Sequence, residues 1–180
     1  MPIHRVLPIL GTAQRLMAGI LSVSPIGGAI EVARAPFQVL VFPFFRGDDG
    51  TFVYAVFCRR DSGVWQGISG GGEGGETGLE AAKRECWEEA GIPAGARLIA
   101  LDSVGIIPAE SVVGSLLWGP EIHTIPEYSF GVECQKKDLE LSGEHSEYKW
   151  ASLKEGEGQL RWQTNKNALH ELDRRLTTPC

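Results

Sequence analysis

Residues 70–92 read Gly-Gly-Gly-Glu-Gly-Gly-Glu-Thr-Gly-Leu-Glu-Ala-Ala-Lys-Arg-Glu-Cys-Trp-Glu-Glu-Ala-Gly-Ile, a glycine-rich loop running straight into a glutamate-rich helix. Thr77, three residues ahead of Glu80, forms a capping box in which each side chain satisfies a backbone N–H that the first helical turn leaves unpaired. The helix therefore starts near Gly78. Leu79, Ala82, Cys86 and Ala90 recur at the three- and four-residue steps of a buried stripe. Gly91 stands where a left-handed residue ends a helix, which predicts about three and a half turns.

Glu85, Glu88 and Glu89 fall at i, i+3 and i+4, so their side chains are neighbours on one face, predicted to be exposed. Like charges this close repel, and the arrangement makes sense when a divalent cation lies between them. Carboxylate oxygens are hard ligands, which favours Mg2+, with Mn2+ as the alternative. A solvated acidic face is the ordinary reading of a Glu-rich helix, but it leaves the glycines ahead of the helix unexplained.

Gly70, five residues, Glu76, seven residues, then Arg84-Glu85-Cys86-Trp87-Glu88-Glu89-Ala90-Gly91-Ile92 resembles the Nudix box, the signature of hydrolases that cleave a nucleoside diphosphate linked to another group. Cys86 stands where an aliphatic residue is usual, and a free Cys packs as a small hydrophobe. The resemblance implies an α/β/α sandwich with a mixed β-sheet. It also implies that Glu85, Glu88 and Glu89 hold the metal, with Glu144 as a further carboxylate from the opposite loop. Gly70, Glu76, Arg84 and Gly91 would support the box, Glu76 and Arg84 as an ion pair fixing loop against helix. The general base is open among Glu85, Glu88 and Glu144. His145, beside Glu144, is read as a solvated or capping residue at a turn.

The chain has 180 residues and a net charge of −6. One domain is expected over residues 31–180, long enough to bury a sizeable core. The acidic balance argues against a nucleic-acid groove, which would show a basic patch. Residues 70–92 alone carry six Glu against Lys83 and Arg84, the local excess a metal site requires. Cys58, Cys86, Cys134 and Cys180 have no zinc-like spacing and read as reduced thiols of a cytoplasmic protein. In residues 1–30, Pro25, Gly27 and Gly28 interrupt an apolar run too short to span a bilayer. That segment is expected to be an N-terminal arm outside the chemistry.

Phe37–Phe45 and Phe52–Cys58, joined by the Gly47–Gly50 turn, read as paired strands. Further strands are predicted over 97–107, 123–134 and 148–151, with Pro126 confining the start of its strand to an edge, and a closing helix over 165–176. Residues 108–122 read as loop. Arg59, at a strand end before the box, is a candidate phosphate contact. Trp65, Gln66 and Ser69 precede the loop where an indole face would stack on a flat heterocycle and an amide would read its edge. Together with Glu144-His145, Tyr148-Lys149-Trp150, Trp162 and Asn165, they resemble the flanks of dihydroneopterin triphosphate pyrophosphatases. Such enzymes release pyrophosphate from a pterin triphosphate and accept some nucleoside triphosphates such as dATP. Pro108, sixteen residues past Ile92, resembles a mark of ADP-ribose pyrophosphatases, so a small-molecule phosphoanhydride is the expected partner on either reading. A non-catalytic ligand-binding module is the alternative of another class, though such modules usually show a decayed box.

Overall fold

The apolar run predicted at Phe37–Phe45 lies inside a thirteen-residue strand, β1 (Arg34–Arg46), that organises the sheet. A computed structural model describes residues 34–112 and 118–178. The N-terminal arm expected over residues 1–30, and Cys180, lie outside the described residues. β2 (Phe52–Arg59), β3 (Trp65–Gln66) and β4 (Ile68–Glu73) lead to helix α1 (Gly78–Ala90). β5 (Leu98–Pro108), β6 (Thr124–Glu133) and β7 (His145–Ala151) follow, and α2 (Leu153–Gln159) and α3 (Gln163–Thr177) end the chain.

These strands form one mixed seven-stranded sheet. β1 runs parallel to β6 along one side; on its other side it is antiparallel to β4 over its first part and to β2 over its last. β5 pairs with β6, and β3 and β7 pair with β2. Thr124, Ile125 and Pro126 pair with β5 alone, because β1 joins β6 only from Glu127 onward. Pro126 thus lies on the stretch of β6 that β1 leaves uncovered, an edge position of the kind in which a strand tolerates proline.

Adjacent β1 residues serve opposite faces. Val39 and Val41 join Ala82, Cys86 and Ala90 of α1 in one core, while Leu40, Phe42 and Phe44 join Ala168, Leu169 and Leu172 of α3 in the other. The sheet lies between helical layers in an α/β/α sandwich. At each full side-chain burial worth roughly 1.5–3 kcal/mol, these two cores hold the helices to the sheet. Tyr54 also donates to Asp173 Oδ1 at 2.7 Å.

Three expectations need correction. Leu79 is 45% exposed, and the buried stripe of α1 runs instead through Ala81, Ala82, Glu85, Cys86, Glu89 and Ala90. The glycine-rich segment is partly strand: Gly70, Gly71 and Gly72 belong to β4, paired with β1. A two-turn helix, α2, was not anticipated, although Ser152 and Glu155 form the same reciprocal cap as Thr77 and Glu80. The cap spacing was visible in the sequence; an apolar run behind it was not.

Candidate active site

α1 brings its carboxylates to the sheet through local signals at both ends. Thr77 and Glu80 cap its start, and Gly91, at φ 63°, ends it. Between these caps, Glu85 and Glu89 face inward and are 6% and 4% exposed, while Glu88 remains exposed. The three do not share one exposed face as predicted. The i and i+4 pair points at β4, and Glu88, about 60° round the helix from Glu85 and about 100° from Glu89, is exposed on the flank of that face.

Gly70 of β4 makes room for this. A Cβ there would overlap the Glu85 carboxyl group. Arg84 then spreads over the junction. Its Nε and Nη2 donate to the two Glu76 oxygens at 2.9 and 3.0 Å, and Nη2 also donates to the Gly71 carbonyl at 2.8 Å. Nη1 donates to Glu85 Oε1 at 2.7 Å and to Glu88 Oε2 at 3.0 Å. Arg84 holds the Glu76 carboxyl below its ordinary range. Glu85 is pushed up to about 7, because burial outweighs the same guanidinium.

Glu89 is held from the other side. His145 Nε2 lies 2.6 Å from Glu89 Oε2, and the Ser69 backbone N–H also donates to this carboxylate. Burial raises the Glu89 carboxyl despite both donors. His145 is 1% exposed and packs against Phe57 with tilted rings, at 5.1 Å between centroids. The reading of His145 as a solvated turn residue is therefore corrected: it is the first residue of β7, directed inward by pairing with β2. With Nε2 donating, its buried Nδ1 has no hydrogen-bond partner among the described residues.

Of these groups, Ser69, Gly70, Gly71, Glu85 and Glu89 line a cleft of about 850 Å3. Arg59, Gln66, Ser69, Gly70, Glu85, Glu89 and Glu144 all border it. Arg59 is gripped by Asp61 through two bonds of 3.0 and 2.6 Å and lies 3.8 Å from Glu144. Its neighbour Arg60 is used structurally, donating to the carbonyls of Gly143 and His145. Glu88 is not among the lining residues.

Trp65 is also absent from the lining, and its predicted stacking role is corrected. Consecutive strand residues face opposite sides, so with Gln66 turned to the cleft Trp65 packs on the α3-side core. Lys149 lies over its ring at 4.4 Å, a cation–π pair, rather than beside a phosphate chain. The aromatic side chains that do border the cleft are Phe37, Trp118 and Trp162. Glu127, buried within β6, also borders it and was not singled out from the sequence. The signal was available: Ile125, Glu127 and Ser129 alternate as one inward face of a strand.

The donor set suits a hard divalent cation. Two buried carboxylates, one accommodated only by the missing Gly70 side chain, are poor company in low dielectric without added positive charge. Among the described residues no three acidic, His or Cys side chains already converge on one point, since Arg84 and His145 engage Glu85, Glu88 and Glu89. His145 acts on Glu89 by position. His145→Ala is expected to lower kcat about tenfold or more with little change in KM, and His145→Gln to restore part of it; a change confined to thermal stability would refute the role.

Comparison with known proteins agrees with this geometry. The NUDIX domain family model matches residues 36–172. A protein from Listeria monocytogenes described as a NUDIX hydrolase is similar at 36% identity and TM-score 0.71, with 79% of this chain and 94% of that one covered. The Escherichia coli dihydroneopterin triphosphate pyrophosphohydrolase aligns at 22% identity and TM-score 0.65, covering 81% and 99%. The NUDIX domain of Shewanella oneidensis NrtR, crystallised with ADP-ribose, aligns at 12% identity and TM-score 0.59, covering 78% and 88%. The last two likenesses are of fold alone. No curated protein matched.

Proposed function

The chain belongs to the NUDIX domain family, and from that membership and the cleft we propose a metal-dependent pyrophosphohydrolase that converts a pterin or purine nucleoside triphosphate to its monophosphate and pyrophosphate. The observation carrying this reading is the pair of buried carboxylates, Glu85 and Glu89, which with Gly70 line a cleft large enough for a nucleotide. Hydrolases of this family generally use divalent metal ions, and Mg2+ or Mn2+ fits the oxygen donors here. Glu85, Glu89 and Glu144 would hold the ion, supported by Glu88, and it would neutralise phosphoryl oxygens and make water more acidic.

The chain's own groups then have distinct tasks. Arg84 and Glu76 lock β4 against α1, and His145 fixes the Glu89 carboxylate. Arg59, already aligned by Asp61, presents its remaining guanidinium edge to the phosphate chain. Glu144, exposed on the cleft rim, is the carboxylate with greatest freedom to take the proton of the attacking water. Water adds to phosphorus, one P–O bond breaks, and pyrophosphate leaves. Phe37 and Trp162 offer ring faces to the heterocycle.

Three free, buried thiols, Cys58, Cys86 and Cys134, support a cytoplasmic setting. Among the described residues no helix is long and apolar enough to cross a membrane. Pro108 lines the cleft as well, so ADP-ribose belongs in the test. Dihydroneopterin triphosphate, dGTP, dATP, 8-oxo-dGTP and ADP-ribose should be compared with Mg2+, reading released pyrophosphate and monophosphate. The expected order places the pterin triphosphate first and a purine deoxynucleotide next. Faster cleavage of ADP-ribose than of every triphosphate would overturn the substrate assignment, and Mg2+-dependent binding with no turnover would favour a non-catalytic module.

A further inference from the structure

Glu127 is 5% exposed, yet it borders the cleft. It pairs across the sheet with Gln38 of β1 and with Gly105 of β5. A Cβ on Gly105 would come within 2.9 Å of Glu127 Oε2 and 3.2 Å of Thr164 Cγ2, so the glycine leaves the carboxyl group its space. Thr164 donates a hydrogen bond to it, and among the described residues no ion pair holds it. Buried carboxylates are ordinarily paired with a cation or saturated with donors. This one is neither, and the catalytic steps above do not use it.

Its charge restricts what it can meet. Gln38 of β1 pairs with Gly71 on one side and with Glu127 on the other, so two strand spacings, about 10 Å, separate Glu127 from the β4 backbone beside Glu85; with no cation shared with that pair, its charge suits the uncharged end of the substrate, while Glu85, Glu89 and Arg59 attend the phosphates. When ionised it is an acceptor only, with two oxygens side by side, and its complement is a pair of adjacent N–H donors. Guanine and pterin carry that pair, a ring N–H next to an exocyclic amino group. Adenine has a ring nitrogen acceptor beside its amino group, which would set lone pair against lone pair.

Resting on the reading of the cleft as a triphosphate site, we propose that Glu127 is a specificity-determining residue, selecting flat heterocycles with a 2-amino-4-oxo pyrimidine edge over adenine by accepting two parallel hydrogen bonds. Burial raises the free carboxyl, and a ligand bringing two N–H groups would restore its charged form. Gln66, also buried at the cleft wall, and Asn165, whose Oδ1 accepts from the Gly67 N–H at 3.2 Å, add rigid polar surface nearby.

The experiment compares kcat/KM for dGTP, dITP and dATP in the wild type, Glu127→Gln and Gly105→Ala, together with calorimetric binding of dGMP and dAMP. The wild type is expected to rank dGTP above dITP above dATP, since inosine keeps the ring N–H and lacks the amino group. Gln presents one donor and one acceptor, the pattern adenine matches, so Glu127→Gln should lower the dGTP/dATP ratio by about thirtyfold, the discrimination typical of one bidentate edge contact. Gly105→Ala should lower the same ratio by displacing the carboxyl group. An unchanged ratio in both variants, or a wild type that prefers dATP, overturns the proposal while leaving the hydrolase reading intact. Should no triphosphate be cleaved, the triphosphate reading fails, and binding decides this one: a dGMP preference lost in Glu127→Gln sustains it, and equal binding of dGMP and dAMP refutes it.

Discussion

Glu89→Gln is expected to reduce turnover by about a thousandfold while leaving the fold in place. Glu89 is buried, accepts from His145 Nε2 and the Ser69 N–H, and faces the cleft. An amide of the same shape keeps the packing but removes a charge from a site built to concentrate negative charge. A cation in such a site contributes several kcal/mol to charge stabilisation in phosphoryl chemistry, and each 1.36 kcal/mol lost is about tenfold in rate. Calorimetric titration with Mg2+ and with Mn2+ should show the affinity lost alongside the activity. Glu76→Gln provides the contrast. Glu76 touches Arg84 and the Glu73 backbone N–H, so its variant should weaken the site and retain metal binding. If Glu76→Gln lost the metal and Glu89→Gln kept it, the two roles would be reversed.

Gly70→Ala is expected to cost about a hundredfold in kcat, with only a small drop in thermal stability. The added methyl group would overlap the Glu85 carboxyl. What must yield is the end of a flexible side chain rather than backbone, so the folded state can accommodate the change by turning Glu85 aside. The catalytic site cannot, since displacement of a reacting or charge-bearing group by about 1 Å costs on the order of a hundredfold. Glu85 would also be pulled from Arg84 Nη1, at 2.7 Å in the native arrangement. Circular dichroism, a melting curve and steady-state kinetics on one preparation separate these effects. Full activity in Gly70→Ala would mean that the Glu85 position does not matter to turnover, and the account of this site would fall.

The amino-acid sequence by itself determined the features that depend on residues three to eight apart. The capping box of Thr77 and Glu80, the end of α1 at Gly91, the β1–β2 hairpin and the amphipathic closing helix are local, because helix caps, turns and short periodic runs answer to their immediate neighbours. The acidic cluster on α1 was legible for the same reason, as was the edge character of Pro126. The tertiary structure alone decided which side of a strand or helix became interior. Trp65 and Gln66, both expected at the substrate, part company because pairing of β3 with β2 sends one to the core and the other to the cleft. His145, next to a turn in sequence, is buried because β7 carries it across β2 to Glu89. Glu127 meets Gly105 and Thr164 only after β6 has been placed between β1 and β5 and α3 has folded over them. Contacts such as Glu127 with Gly105 and His145 with Glu89 depend on strand order and register, and a one-residue slip in register reverses the facing of every side chain in the strand.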